Sequence, residues 1–396
     1  MSDTESYSDN KLVFPIETKN GGVDPRSWEN VEALFDWLEL KIRRNEFTGQ
    51  DEVDGKTLTD DVLINIYDEA HRAGLRVYRD FLLDRMKATA LENRYHPVRR
   101  YFRRLEWDGK RRLDKWLVTY LGAEDSPYVR AVGAIVLIAA VRRIRKPGTK
   151  FDTMLILEGI QGSGKSSALK ALAVNEDWFT DCVSLKHDPK VLIEQTSGKF
   201  IVEVPELSGM RHAEIEQIKA SLSRTRDRAR KAYDRLTAEV ERQFIVIGTT
   251  NVDDEGRAAY LKDHTGNRRF WPVLTDEVDL RGLKRDRDQL WAEAAERERD
   301  GESIILPQHL WQTAEHQQNE RMPLDPYEEV LVSNLSDVSK IRTEETWEII
   351  GKKAAQMHQS DMDRVGRIMR KLGFTKKKLR IGHGDRASFY VRGDRW

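Results

Sequence analysis

The sequence has almost no cysteine and no long apolar run. Its one cysteine in 396 residues, Cys182, excludes a disulfide framework and a cysteine-rich zinc site, as is typical of a reducing compartment. We expect this side chain to be a small buried hydrophobe. The longest apolar stretch, residues 131–141, has about half the length of a membrane span, and the first twenty residues are polar and acidic, unlike a signal peptide. These absences predict a cytoplasmic protein without membrane contact.

An excess of charge of either sign is also lacking. The 67 basic residues equal the 67 acidic ones, so net charge says nothing about an acidic partner, and binding surfaces must come from local clusters. The length allows two or three domains. We expect a flexible tail over 1–23, a helical domain over 24–148, an ATPase core over 149–322 and a basic module over 323–396.

The central region has the pattern of an α/β domain. The apolar runs TMLILEG, KFIVEVPEL and RQFIVIGTTN are typical of buried strands. Alternation along residues 200–204 would bury one face of the second. Because helix-forming segments separate the runs, we expect a parallel sheet with right-handed crossovers. The predicted fold class is α/β, a P-loop NTPase (AAA+-like) core between a helical domain and a winged-helix-like module.

A glycine-rich loop follows the first strand. The stretch GIQGSGKS matches G-x-x-x-x-G-K-[ST], with an apolar strand before it and a helix-forming run after it. The backbone N–H groups of such a loop bind phosphates, helped by the positive end of the next helix. Lys165 would reach the β- and γ-phosphates of ATP, and the Ser166 hydroxyl would hold Mg²⁺. The predicted ATP-binding residues are Gly159, Gly162, Ser163, Gly164, Lys165, Ser166 and Ser167.

Two carboxylates, Glu203 and Glu206, accompany the second strand. One can orient Mg²⁺ while the other activates the attacking water as general base. Glu203 is the candidate metal ligand beside Ser166, and the two glutamates could also exchange roles. Alternatively, Glu206 only caps the next helix.

An amide and two arginines complete the predicted catalytic set. Asn251 ends the third strand and could hold the lytic water, with Thr249 and Thr250 as weaker candidates, or simply form a turn. Arg268 and Arg269 precede the apolar run FWPV. Either could neutralise phosphate charge across a subunit boundary, or both could form a surface pair within one subunit.

A first basic cluster, SRTRDRARKAYDRL, lies between the second and third strands. Clustered cations contact the phosphates of DNA, and an aromatic ring can stack on a base. The alternative is a solvated charged helix. The candidate DNA-binding residues are Arg224, Arg226, Arg228, Arg230, Lys231, Tyr233 and Arg235.

A second basic cluster ends the chain. An apolar helical face over 362–372 is followed by two alternating segments joined by GHGD. This order favours a winged helix that binds DNA, although a basic protein-docking module would have the same composition. The candidate DNA-binding residues are Arg370, Lys371, Lys376, Lys377, Lys378 and Arg380.

Together these segments resemble the virulence-associated E family, phage- and island-encoded ATPases grouped with superfamily-3-like, AAA+-type replicative helicases. The resemblance covers residues 95–295, from HPVRRYFRRLEWDGKRR through GIQGSGKSS, KFIVEVPEL and GTTN to TGNRRFWPV. It implies a hexameric or similar ring, ATP hydrolysis at subunit interfaces and DNA in a central channel. Glu203 and Glu206 would be the Walker B carboxylates and Asn251 sensor 1, with one of Arg268 and Arg269 as the arginine finger.

The chain departs from the family pattern in two respects. Its Walker B acids are spaced Glu-x-x-Glu rather than adjacent, which leaves the metal ligand and the base open. Many relatives carry a primase domain, for which the residues before 95 are too few, so a separate primase would be the partner.

The predicted function is that of an ATP- and Mg²⁺-dependent DNA helicase or translocase in the replication of a phage or mobile element. The alternative is a DNA-binding ATPase switch that loads, remodels or senses DNA, in regulation or defence, without processive unwinding. Both use the same site, so the sequence does not separate them.

Overall fold

The computed structural model describes residues 12–182, 189–230, 237–253, 256, 258–261, 266–322, 325–381 and 385–393. The chain divides into two units, residues 1–321 and 322–396. The predicted helical domain and the predicted core therefore belong to one unit. None of the helices in these described ranges is both long and apolar enough to cross a membrane.

The first part of unit 1 combines helices with a small sheet. Its elements are α1 (Trp28–Trp37), β1 (Ile42–Asn45), β2 (Gln50–Val53), β3 (Lys56–Thr57), α2 (Asp60–Arg72), α3 (Arg79–Glu92) and β4 (Arg94–Tyr95). The strand order is β3-β2-β1-β4, with β1 parallel to β4. The purely helical prediction for this region is therefore wrong. The strands are short and polar, as in IRRN and QDEV, and only Ile42 and Val53 anchor the pair in the local core.

Three further helices connect this region to the large sheet: α4 (Pro97–Arg103), α5 (Trp116–Leu121) and α6 (Pro127–Arg145). Ser126 caps α6 by accepting a hydrogen bond from the Val129 amide, and Pro127 fits the first turn. Residues 132–141 of α6 are all buried. The apolar run thus forms a core helix, as predicted.

A parallel sheet of five strands forms the centre of unit 1, with the order β11-β5-β10-β7-β6. The prediction of a parallel α/β core is confirmed at this level. The elements are β5 (Met154–Gly159), α7 (Lys165–Leu172), β6 (Phe179–Thr180), α8 (Pro189–Thr196), β7 (Ile201–Val204), α9 (His212–Leu222), β8 (Arg226–Arg230), β9 (Thr237–Glu241), β10 (Ile245–Asn251), β11 (Phe270–Leu274), α10 (Leu280–Arg299) and α11 (Trp311–Glu320).

β5 and β7 of this sheet are buried on both faces. All six residues of β5 and all four of β7 are buried, which is typical of a parallel sheet covered by helices. The expectation that alternation along residues 200–204 buries one face only is therefore wrong. Phe200 packs against Trp291 of α10, with 4.9 Å between ring centroids.

Cys182 is exposed, so its predicted burial is wrong. The thiol donates a hydrogen bond to Asp181 Oδ1 at 3.0 Å, and this contact with a carboxylate raises the pKa of the thiol.

Unit 2 has a three-stranded antiparallel sheet and three α-helices among its described residues. The elements are α12 (Pro326–Leu335), β12 (Lys340–Arg342), α13 (Thr343–Ile349), α14 (Gln359–Lys371), β13 (Phe374–Ile381) and β14 (Asp385–Arg392). The strand order is β12-β14-β13. Its core contains Leu331, Val365, Met369, Phe374 and Tyr390. The predicted helix and two strands correspond to α14, β13 and β14, whereas α12, β12 and α13 were not predicted.

Candidate nucleotide site and basic surfaces

The glycine loop, residues 159–166, joins the carboxyl end of β5 to the amino end of α7. Gly164 has a φ of +95° and Gly162 a φ of +81°, a backbone region that favours glycine. A Cβ atom at Gly159 would lie 2.9 Å from the Thr275 carbonyl oxygen. Since the first N–H groups of α7 have no acceptor within the helix, the loop and helix end together form a polar, positively polarised surface.

The Lys165 side chain lies over this loop. Its Nζ donates to the carbonyl oxygens of Gly159 and Ile160 at 3.0 and 2.8 Å and is 3.4 Å from Asn251 Oδ1. Burial lowers the pKa of Lys165, while the nearby Glu203 carboxylate acts in the opposite direction. The ammonium group is therefore fixed beside the loop by neutral oxygens, where an anion would be a stronger partner.

Glu203 lies in β7 and is fully buried. Its Oε1 accepts hydrogen bonds from Ser166 Oγ at 2.7 Å and Thr249 Oγ1 at 2.6 Å. Its Oε2 is buried and has no hydrogen-bond partner among the described residues. The structure thus brings the two predicted metal ligands, Ser166 and Glu203, together, and leaves one carboxylate oxygen available.

Glu206 follows β7 and is exposed. Its φ of +55° is rare for a residue other than glycine. It precedes the short 3-10 helix Leu207–Gly209 without making a side-chain capping hydrogen bond. Capping of the next helix by the Glu206 side chain therefore does not account for its strained backbone.

The carboxyl end of β10 completes the site. β10 lies between β5 and β7, so Thr249, Thr250 and Asn251 end next to the glycine loop. Thr249 bonds to Glu203 as described, and Thr250 Oγ1 accepts from the Ser208 amide at 3.2 Å. Asn251 is exposed and is the member that faces Lys165. The hydroxyls of the weaker candidates Thr249 and Thr250 are thus engaged in hydrogen bonds within the protein. The Asn251 amide instead lies on the solvent-exposed side of the site.

A buried ion pair lies directly before the loop and was not predicted. Glu158 is 1% exposed and accepts three hydrogen bonds of 2.7–3.1 Å from the guanidinium of Arg321. Tyr260 Oη donates to the same carboxylate at 2.8 Å, and burial followed by the Glu158 charge raises the pKa of Tyr260. A glutamate within the apolar run TMLILEG was the available signal.

Arg268 and Arg269 lie at the amino end of β11, so they and the glycine loop are at opposite ends of the sheet's strands. They end a short 3-10 helix before β11, and Phe270 pairs with Met154 at the start of β5. Six residues of extended strand place the pair about 20 Å from the glycine loop of the same chain. Arg268 is exposed and Arg269 half-buried. The structure therefore places both residues away from the glycine loop of their own chain, and their role across a subunit boundary stays a prediction.

The described part of the first basic cluster includes β8, which pairs antiparallel with β9, and we call these two strands the hairpin. Arg226 makes ion pairs with Glu239 at 3.3 Å and Glu241 at 2.9 Å on the opposite strand. Arg224 is 4.0 Å from the buried Asp227. Arg228 is exposed. Of the remaining candidates, the Arg230 side chain, Lys231, Tyr233 and Arg235 lie outside the described residues.

The acidic residues of β9, Glu239 and Glu241, follow the basic cluster in the sequence. They neutralise Arg226, so the hairpin is less basic than its first strand suggests. The base of the hairpin is fixed by Arg242, whose guanidinium bonds to the buried Asp227 at 2.6 and 2.7 Å and to the Ser221 carbonyl oxygen at 2.7 Å.

The second basic cluster is exposed on unit 2. The candidates that are exposed are Arg370, Lys371, Lys376, Lys377, Lys378 and Arg380. Lys371 makes an ion pair with Glu328 at 2.5 Å. Arg364, on the same helix, is held by Asp325 at 2.7 Å and lies over the Tyr327 ring. Two cations of α14 are thus paired with carboxylates, whereas the cations of β13 make no ion pair with a described residue.

The described residues hold no group of three or more His, Cys, Asp or Glu side chains that could bind a metal ion. Magnesium requires less than this, because it keeps several waters and is bound through one or two carboxylates and substrate phosphates. Ser166 and the free Glu203 oxygen are compatible with that requirement.

Comparison with solved structures identifies similar folds. The apo A form of the NrS-1 C-terminal region is similar over 91% of this chain and 99% of that chain, with 11% identity and a TM-score of 0.50. A second apo structure of that region, residues 305–718, covers 91% of this chain and 98% of its own, with 11% identity and a TM-score of 0.47. At this identity the likeness to the first structure concerns the fold alone.

Sequence comparison gives the family. No curated protein matches the chain significantly. The model of the virulence-associated protein E-like domain matches residues 102–323, a span that includes the glycine loop, Glu203, Asn251 and the Arg268–Arg269 pair. Because this match covers more than half of the sequence, the chain belongs to the virulence-associated protein E-like family.

Proposed function

We propose that the protein is an ATP-dependent DNA helicase or translocase that acts in the replication of a phage or mobile element. The observation that carries this proposal is the convergence of Lys165, Ser166, Glu203 and Asn251 at the carboxyl ends of three adjacent parallel strands. A lysine, a hydroxyl, a buried carboxylate and an amide at such an edge are the groups that phosphoryl transfer to water requires.

The residues have distinct roles in this proposal. The loop amides and Lys165 bind the phosphates of ATP. Ser166 and Glu203 hold Mg²⁺, which would neutralise phosphate charge when bound, and the unpartnered Glu203 oxygen supports this assignment. Glu206, exposed at the end of the same segment, then acts as general base, and Asn251 orients the attacking water.

The distance between Arg268–Arg269 and the glycine loop of the same chain supports a ring. An arginine about 20 Å from its own site contributes to hydrolysis only by reaching the site of a neighbouring subunit. We therefore propose a homo-oligomeric ring, hexameric by family resemblance, with ATP bound between subunits.

DNA is the proposed substrate, and two features support it. The β8–β9 hairpin carries the exposed Arg228, with Arg224 just before β8, and unit 2 has the element order of a winged helix with exposed cations along β13. In the ring, the hairpin would contact DNA in the channel. A separate primase would supply primers.

One observation favours the non-unwinding alternative. The ion pairs of Arg226 with Glu239 and Glu241 reduce the charge with which the hairpin could grip a phosphate backbone. A DNA-binding ATPase switch that loads, remodels or senses DNA needs a weaker grip than a translocating motor.

A strand-displacement assay on forked DNA, run beside DNA-stimulated ATP hydrolysis, tests the proposal. The helicase predicts both activities, each lost in Lys165→Ala. Stimulated hydrolysis without displacement would favour the switch. Both proposals are refuted if the wild-type chain neither hydrolyses ATP nor binds DNA.

A further inference from the structure

One face of the unit 2 sheet combines an aromatic ring with three cations. Side chains alternate across a strand, and Ile341, Phe374 and Tyr390 point into the core. Residues one or three positions along the same strand therefore lie on the opposite side. We call the set Lys340, Arg342, Lys377 and Phe389 on that side the cation–aromatic face.

The register concentrates these residues around a single ring. Phe389 lies in the central strand, directly opposite Arg342 of β12 and Lys377 of β13. Lys340 Nζ is 4.4 Å from the Phe389 ring centroid, and the Arg342 guanidinium carbon is 5.8 Å from it. Because strands lie about 4.8 Å apart, positive charge flanks the ring on both sides.

The side chains of Lys340, Arg342 and Lys377 lack an ion-pair partner among the described residues, and the nearby Glu345 carboxylate bonds to the Arg342 backbone amide at 3.1 Å. By contrast, Arg364 and Lys371 of α14 are paired with Asp325 and Glu328. Phe389 is half-buried, while Lys340 and Lys377 are exposed. A cation above an aromatic ring stabilises a structure modestly, so the fold alone does not require three unpaired cations here.

We propose that the cation–aromatic face binds single-stranded DNA, with one base stacked on Phe389 and the adjacent phosphates bound by Lys340, Arg342 and Lys377. An aromatic platform with flanking cations is the chemistry that binds single strands without sequence preference. On binding, Lys340 leaves the ring for a phosphate and the base takes its place. This inference rests on the proposed DNA-binding function and adds three residues, Lys340, Arg342 and Phe389, to its binding set.

Single strands are favoured over duplex because of the position of the ring. Phe389 lies in the middle strand of a sheet rather than at a protruding tip. A base inside a duplex is stacked on both of its faces, so a ring in this position could not reach one. The phosphates of a duplex would meet the three cations but gain nothing from Phe389.

Fluorescence anisotropy with a 20-nucleotide oligo-dT and a 20-base-pair duplex tests this prediction without nucleotide. Phe389→Leu keeps an apolar side chain and removes the ring, and we expect it to weaken oligo-dT binding roughly 5- to 100-fold with little effect on the duplex. Lys340→Gln should lower the salt slope of oligo-dT binding by about 0.7. Lys353→Gln, an exposed lysine of the same unit, is the matched control.

Cross-linking gives a second readout on the wild-type chain. An oligo-dT with one 5-iodouracil, irradiated in the complex, should attach to the tryptic peptide Ala387–Arg392, in which Phe389 is the accessible ring and Tyr390 is buried. Equal loss of duplex and oligo-dT binding in Phe389→Leu would overturn the stacking role. Unchanged oligo-dT binding in Phe389→Leu, or the absence of any cross-link to this peptide, would overturn the site. Failure of the wild-type chain to bind either DNA would instead refute the proposed function.

Discussion

The buried ion pair between Glu158 and Arg321 allows a quantitative test of the site's framework. Arg321→Gln removes the guanidinium and keeps a polar side chain at a position where only 11% of the arginine side chain is exposed. Glu158 then remains within β5, immediately before the glycine loop. Its only remaining hydrogen bond from a described side chain is the one from Tyr260 Oη.

The magnitude follows from this geometry. Removing one partner of a buried pair costs about 3–5 kcal/mol, because an uncompensated charge stays in the interior. The bond from Tyr260 is retained and offsets part of this loss, so we expect about 3 kcal/mol. With a urea m-value of about 3 kcal/mol/M, the unfolding midpoint falls by about 1 M.

A double-mutant cycle in urea measures this effect. Glu158→Gln combined with Arg321→Gln removes both charges and should recover at least about 1 kcal/mol relative to the sum of the single losses. The matched control is Arg130→Gln, which breaks the equally bidentate but exposed pair with Asp125 and should have a much smaller effect. If Arg321→Gln destabilises no more than this control, or if the double variant shows no coupling, the reasoning is refuted.

Three further predictions concern the loop, a buried histidine and the arginine pair. Lys165→Ala should lower ATP turnover by at least about 100-fold, with Lys170→Ala on the exposed side of the same helix as control, and normal turnover would refute the site. His96 is buried, and burial lowers its pKa from 6.5 to about 4; since the unfolded chain then binds the proton more tightly, stability should fall by about 3 kcal/mol between pH 6.5 and 4. In His96→Asn thermal unfolding should depend less on pH over that window, and an unchanged dependence would contradict this. If Arg268 or Arg269 acts on a neighbouring subunit, mixing its inactive alanine variant with Lys165→Ala should restore part of the hydrolysis, and no recovery for either arginine would count against that role.

The core of the fold could be predicted because its strands are nearly uniform apolar runs. β5, β7 and β10 and the helix after the glycine loop were all found from such patterns. Strand order could not be predicted, because it depends on contacts between segments distant in sequence. β6 has two residues and β1 contains two arginines, so neither has a strand-like pattern.

The sequence predicts those site residues that lie at or just after the end of an apolar run. The glycine loop, Glu203 and Asn251 each follow or end an apolar run, and a parallel sheet brings such ends together. Glu158 and Arg321 are 163 positions apart, and spacing alone could not pair them. The acids Glu239 and Glu241 lie just beyond the basic stretch and meet Arg226 only through strand pairing, so the sequence pattern alone overstates the positive charge.

The central position of β10 has a mechanical consequence. Its first residue follows Arg242 and Phe244 at the hairpin base, and its last is Asn251 beside Lys165. Ladders of hydrogen bonds to β5 on one side and β7 on the other keep it from sliding. β10 therefore connects the hairpin base to the glycine loop through one strand about 20 Å long, along which Thr249 bonds to Glu203. A displacement of the hairpin base carried along β10 would change the position of Thr249, and through Glu203 that of the Ser166 hydroxyl.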